Sequence, residues 1–190
     1  EDSGLFCPWT HATFFTLQYP LNMREEKRVI HPILHMKESL ESVALELQRS
    51  LGTLFKCSYN QIKKALAQGM QRQHHFESRL AQMWTKEIEP VLENEIAIVV
   101  IGRPYMLNDE KLNLRIGREI SKMGITAIPM DFLPIYDIAI QDDFQNMYWG
   151  EGAQILRAVI YCAEHPQLFP VIISNFGCGP DSFLSKYIED

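Results

Sequence analysis

The segment Ile96-Ala97-Ile98-Val99-Val100-Ile101 constrains the fold more than any other stretch of the chain: six apolar residues follow one another, five of them β-branched. A strand with one wet face alternates apolar and polar residues, whereas an unbroken apolar run belongs to a parallel strand covered on both faces. Gly102-Arg103-Pro104-Tyr105 ends the run. A helix then carries Leu112, Ile116, Ile120 and Met123 on one face and stops at Gly124, a residue suited to a helix C-terminus. Ile125 to Met130 reads as a second strand, ending at Asp131. A long acidic loop and a helix from about Asn146 to Ala163 follow, the latter with Ile155, Leu156, Val159 and Ile160 on a broad apolar face. Val171-Ile172-Ile173 has the length and branching of a buried core strand. This rhythm predicts an α/β fold: a Rossmann-like parallel sheet with strands near 96–101, 125–130 and 170–175, joined by right-handed crossovers.

The remainder predicts two further regions. Residues 1–35 form an irregular aromatic arm, interrupted by Pro8, Pro20 and Pro32; Phe6, Trp9, Phe14, Phe15 and Tyr19 are too apolar for a free tail. Residues 36–94 read as a long helical hairpin. Leu40, Val43, Leu47, Leu51 and Leu54 mark its first stripe, and Ile62, Leu66, Gly69, Phe76, Leu80, Met83 and Ile88 its second, with Pro90 near the end. The hairpin is expected to pack by these stripes and to hold no catalytic group. Residues 95–190 make up the α/β domain. A start at Glu1 rather than Met, and an end at Asp190 soon after a helix begins, lead to the expectation of a piece excised from a longer protein.

A net charge of -6 provides no clustered cations for nucleic-acid phosphates, so small molecules or proteins are the expected partners. No apolar run reaches the length of a membrane span, and no signal peptide stands at the N-terminus, which makes the cytoplasm the default location. Cys7, Cys57, Cys162 and Cys178 are widely spaced, without a C-x-x-C pair, and a disulfide scaffold is not expected.

Phe169 to Phe183 contains the strongest functional motif, a cysteine between two glycines where a strand turns into a helix with Pro180 at its start. Backbone N–H groups and the helix dipole would favour a Cys178 thiolate, the form that binds metal or attacks as a nucleophile. Gly177 and Gly179 would leave room for a bulky ligand; equally, they would simply make the turn, with Cys178 as a small buried filler. In a parallel sheet Gly102–Tyr105, Asp131–Pro134 and Gly177–Gly179 all follow strand C-termini, which puts Arg103, Tyr105, Asp131 and Cys178 on one ligand-binding rim. Arg103 could face a phosphate, a carboxylate or a cluster, or pair with Asp109 or Asp131 to hold a loop. Neither a dinucleotide fingerprint nor a Walker ATP motif is present. Asp137, Asp142 and Asp143 read as a solvated loop. His74 and His75 point different ways from one helix, and Pro32 separates His31 from His35. Cys57 and Cys162 read as structural thiols. Cys7, in Cys7-Pro8-Trp9, suits either a ligand or packing.

Ile101 to Tyr105, Asp109 to Asn113, Ile128 to Asp131, Tyr148-Trp149-Gly150 with Gly152, Gln154 and Ile155, and Asn175 to Phe183 together resemble the domain of unknown function associated with 2-hydroxyacyl-CoA dehydratases and their ATP-dependent activators. The resemblance covers residues from about 96 to 190 well and the arm at Cys7-Pro8 loosely; the hairpin contributes no motif to it. It implies an iron–sulfur cluster with Cys178 and Cys7 as ligands, set among Arg103, Tyr105, Gly177 and Gly179, in a cytoplasmic protein of anaerobic metabolism. Two thiols fall short of a four-iron cluster, so Cys162, another segment or another subunit would complete it, or the fragment is without its cofactor. The implied role is ATP-driven low-potential electron transfer within a dehydratase or activase system, the fragment alone being inactive. An activase domain in cis or trans would be its partner, with acyl-CoA as a substrate of the system. A non-catalytic interaction domain, or a domain binding an acyl-CoA or phosphate ester, are the alternatives.

Overall fold

The computed structural model describes residues 8–23, 30–140 and 144–189. They form two compact units, and the boundary between Glu77 and Ser78 falls inside a helix. Phe6, Cys7, Asp142 and Asp143 lie outside the described residues.

The first unit is helical. Within the stretch expected to be irregular, α1 (Pro8–Leu17) is a helix. Pro8 stands at its first position, where a missing N–H removes no helical bond, so this proline starts a helix instead of breaking one. Ser39 caps α2 (Leu40–Phe55) by accepting the Ser42 N–H at 3.2 Å. Lys56 ends it in the left-handed region at φ 52°, its N–H bonded to the Gly52 carbonyl. Ser58 and Gln61 then form a capping box: Ser58 N–H donates to Gln61 Oε1 at 2.8 Å and Gln61 N–H to Ser58 Oγ at 3.4 Å. α3 (Tyr59–Met83) follows. The periodicity located both helices, but their stripes are not buried as expected. Of the first stripe only Val43 is buried, and no residue of α3 is.

The second unit begins with the end of α3, a π turn at Trp84–Ile88 and α4 (Glu89–Leu92). Pro90 explains the wide turn. It has no N–H to donate and its ring crowds the carbonyl four residues back, so the ladder opens to a five-residue step, Glu89 N–H to Trp84 C=O. The chain then runs through β1 (Ala97–Gly102), α5 (Pro104–Asn108), α6 (Ile116–Lys122), β2 (Thr126–Pro129), α7 (Gly150–Glu164), β3 (Leu168–Ile173) and α8 (Gly179–Glu189). The strands form one open, all-parallel sheet in the order β2-β1-β3. The fold is α/β and Rossmann-like.

β1 is central and buried along almost its whole length, as its sequence requires. Its Ala97, Val99 and Ile101 face a core shared with Ile155, Leu156, Ala158 and Cys162 of α7 and Leu184 of α8. α6 packs on β2, where Gly117 and Ser121 share a pocket with Val100, Ala127 and Pro129 from the opposite face. Helices therefore flank both faces of the sheet. Two expectations are corrected. Leu112 and Met123 are not on a buried helical face: the helix starts only at Ile116, and these side chains are 53% and 70% exposed. The loop before α7 is partly core, with Leu133, Ile135 and Ile140 buried and the Ile138 carbonyl held by Arg157 Nε at 2.9 Å.

β3 is likewise an edge strand instead of a core strand. Only Leu168 is buried in it, while Phe169 is 50% and Ile172 40% exposed. The bond from Ala97 N–H to the Gln167 carbonyl, with Ala97 level with Leu168, fixes which groups face β1. The N–H groups of Phe169, Val171 and Ile173 point inward and those of Leu168 and Ile172 outward. Pro170, which has no N–H, falls at an outward position, the place in a sheet where proline removes no ladder bond.

Candidate functional site

In the order β2-β1-β3 the chain leaves β1 for one neighbour and later returns to the other, so the topological switch point lies between the C-terminal ends of β1 and β3. A buried cation occupies it. Arg103, the residue after β1, is 3% exposed; its Nε and Nη2 donate to Asp181 Oδ1 at 2.8 and 2.6 Å, and its Nη1 to Glu151 Oε2 at 2.5 Å. Asp181 is in the first turn of α8 and Glu151 in the first turn of α7. Ser174 Oγ donates to the other Asp181 oxygen at 2.7 Å. Burial alone would discourage the charge on Arg103, but the two carboxylates outweigh it and hold the guanidinium protonated, above its ordinary range. One cation and two carboxylates leave a formal charge of about -1 at the centre of the rim.

The partners expected for this arginine, Asp109 and Asp131, are not the ones it takes. Asp109 instead caps its own turn, accepting the N–H groups of Lys111 and Leu112. Asp131 has its pKa raised by burial, partly offset by a hydrogen bond from Asn108. It lines a cavity of about 200 Å³ with Gly102, Pro104, Tyr136, Glu151 and Gln154. The sequence held a signal for the true partners. Each crossover helix begins at the edge where a strand has ended, so first-turn acids of α7 and α8 must reach the residue that follows β1.

Around this triad the expected rim assembles in part. Tyr105 Oη accepts a hydrogen bond from Asn175 Nδ2 at 3.0 Å, tying the loop after β1 to the loop after β3. Gly177 has φ 81°, which a side chain would strain, and both Gly177 and Gly179 open onto free space. Gly102 is needed for a different reason: a Cβ there would lie 2.7 Å from the Ile173 carbonyl oxygen. Cys178 immediately precedes α8, and its carbonyl accepts the Ser182 N–H at 3.0 Å. Its thiol pKa is raised, contrary to the thiolate expected at a helix N-terminus. Burial contributes most, and the Asp181 carboxylate adds to it; a bond from the Asp181 backbone and the charge of Arg103 oppose them without prevailing.

The other thiols are elsewhere. Cys162 is buried on α7, with its pKa pushed up to about 11 by burial, and Cys57 donates to the Phe55 carbonyl in the helical unit. His31 stacks on Phe14 with ring centroids 4.4 Å apart, while His35 pairs with Glu46, so the two histidines do not share a ligand. Among the described residues no group of three His, Cys, Asp or Glu side chains could hold a metal ion. One rim thiol does not make the ligand set of an iron–sulfur cluster.

The family model of the CoA enzyme activase uncharacterised domain matches residues 1–133. The chain belongs to this family. No curated protein and no solved structure matches it. The matched stretch takes in the N-terminal arm, both long helices and the sheet as far as Leu133, so the helical pair, in which no motif was recognised, is family sequence. The block around Cys178 lies beyond it. No described helix is long and apolar enough to cross a membrane.

Proposed function

We propose that this domain serves a CoA enzyme activase system by offering Cys178 as one ligand of a shared iron–sulfur cluster. The remaining ligands come from Cys7 or from a partner chain such as the activase or a dehydratase subunit. The observation that carries the reading is the position of Cys178 beside the switch point, the place where open parallel sheets take their ligands. The chain's own residues would prepare that place. Arg103, clamped between Asp181 and Glu151, holds the ends of β1, α7 and α8 together, and the Tyr105–Asn175 bond fixes the two loops against each other. Gly177 and Gly179 leave the approach to the sulfur open. When bound, a cluster would supply one-electron chemistry at low potential. The raised thiol pKa fits a cysteine that is protonated until a metal displaces its proton.

The test is iron and acid-labile sulfide content of the protein purified anaerobically together with an activase. Cys178→Ser should lower both strongly, with far-UV circular dichroism unchanged, and Cys57→Ser should leave both as they were. Equal iron and sulfide in wild type and Cys178→Ser would overturn the ligand role and favour a non-catalytic interaction domain.

A further inference from the structure

We propose that the aromatic cavity between the loop before α7 and an exposed face of α8 holds the flat nitrogen heterocycle of a nucleobase, at a site separate from the rim that carries Cys178. The cavity, of about 340 Å³, is lined by Phe144 to Trp149 on the loop and by Phe183 and Tyr187 on α8. Phe183 and Tyr187 are four residues apart and share one face of the helix, while the neighbouring Leu184 is buried in the core. Four ring contacts link five side chains in the order Tyr148, Trp149, Phe183, Tyr187 and Phe144. Their centroids are 4.7, 6.0, 5.1 and 5.7 Å apart, with the planes inclined by 57°, 83°, 61° and 82°. No two of these rings lie face to face, so the protein has not itself filled the stack that a planar ligand would complete. Tyr148, Phe183 and Tyr187 stay about half exposed, an apolar patch of the kind that marks a binding surface.

The polar groups select the ligand. Met147 N–H closes a turn onto the Phe144 carbonyl at 3.0 Å, which puts Gln145 and Asn146 at the tip of that turn. Both line the cavity, both are exposed, and neither amide is taken up by a hydrogen bond among the described residues. A primary amide offers a donor and an acceptor side by side, the pairing that reads the edge of a nitrogen heterocycle. Aromatic faces combined with such edge contacts are the means by which unpaired bases are held. A cation would also be drawn to ring faces, but among the described residues no carboxylate lines the cavity. Trp149 moreover stands at the N-terminal end of α7, where the helix dipole disfavours positive charge. The volume is near the lower end for ligand cavities, so the site takes a single ring system and leaves the sugar outside.

Calorimetric titration of the chain with adenosine, guanosine and uridine tests this, with tetramethylammonium and benzyl alcohol as comparison ligands. At least one nucleoside should bind saturably, once per chain. Phe183→Ala together with Tyr187→Ala should weaken it roughly tenfold or more, with far-UV circular dichroism unchanged. Gln145→Ala together with Asn146→Ala, on an exposed turn, should weaken it about threefold or more and leave benzyl alcohol as it was. Phe176→Ala, at the rim, should change nothing. The proposal is overturned if no nucleoside binds at millimolar concentration. It is overturned equally if benzyl alcohol binds as tightly as the best nucleoside, which would make the cavity merely apolar, or if tetramethylammonium binds more tightly, which would make it a cation cage. Should the ring variant unfold, the amide variant decides: nucleoside affinity unchanged in it overturns the proposal.

Discussion

The two units of this chain are built from equally regular sequence and reach different degrees of burial. In the α/β unit the apolar run of β1 is covered on both faces, and a core of strand, helix and loop residues forms around Val99, Ile101 and Leu156. In the helical unit the stripes are as periodic, yet Leu54 and Phe76, one from each, are more than half exposed. Periodicity reports which face of an element is apolar; burial also needs another apolar surface within the same chain. The sheet meets that need because its strands come from distant segments and gather α7 and α8 onto one core. Charged pairs divide in the same way: Arg103 and Asp181 are almost fully buried, whereas Glu41 and Lys63, at 2.7 Å, are open to water.

The sharpest way to break the comparison is at these pairs. Arg103→Ala should cost about 3–5 kcal/mol of stability in the α/β unit, because Asp181 is left buried with Ser174 as its remaining side-chain donor. Urea unfolding followed by tryptophan fluorescence reads it. The double change Arg103→Met with Asp181→Leu should recover much of the loss, since the carboxylate then left without its partner, Glu151, is 31% exposed and can be hydrated. Lys63→Ala should produce no measurable shift. Equal effects at the two pairs would refute the contrast.

Core truncation gives the next largest difference. Leu156 is 2% exposed at the centre of the α/β core, and Leu156→Ala should cost about 2–5 kcal/mol from lost burial and a cavity. Leu54, 58% exposed on α2, should change stability by about 0.5 kcal/mol or less on the same substitution. A loss at Leu54 as large as that at Leu156 would mean that its surface is covered in solution.

The same division governs how much could be read from sequence. Ile96 to Ile101 announced a doubly covered parallel strand because burial on both faces leaves no position for a polar residue. β3 misled for the converse reason: Val171-Ile172-Ile173 has interior composition but lies at the edge of the described sheet, and composition carries no information about strand order. At the rim, strand endings alone located Arg103, Tyr105 and Cys178. The partners of Arg103 were missed, because Glu151 and Asp181 stand 48 and 78 residues away; their one signal is that both are acids in the first turn of a helix that starts at the rim. The sign of the Cys178 shift was also hidden. A helix N-terminus lowers a thiol pKa, but here the same first turn supplies Asp181, and burial exceeds both.

Glycine provides a third contrast, with opposite signs expected. Gly102→Ala should destabilise by about 1–3 kcal/mol, since the new methyl would collide with backbone at Ile173, which cannot turn aside as a side chain would. Gly69 lies inside α3 with nothing within 4 Å of a built Cβ, and Gly69→Ala should stabilise the helix by about 0.5–1 kcal/mol. Thermal unfolding of the two variants checks both signs.

The smallest effect expected is a pH dependence confined to the helical unit. His35 Nδ1 lies 2.6 Å from Glu46 Oε1, and the His35 N–H donates to the other oxygen at 2.9 Å. The carboxylate raises the imidazole pKa above its ordinary 6.5, chiefly through this hydrogen bond, and His35 in turn lowers Glu46 below its ordinary 4.5, chiefly through the backbone N–H. Raised folded-state basicity of His35 stabilises fully below 6.5 and is lost as pH rises through its elevated pKa. The lowered Glu46 pKa contributes stability that is full above 4.5 and is lost as pH falls through the depressed value. The tie is therefore complete between those two ordinary values and weakens on either side. Both groups face solvent, so salt should weaken it as well. NMR titration of the His35 ring should give a midpoint above 6.5 that returns toward it in Glu46→Gln. An unshifted His35 midpoint in the wild type would remove this pair from the forces that hold the segment before α2 against that helix.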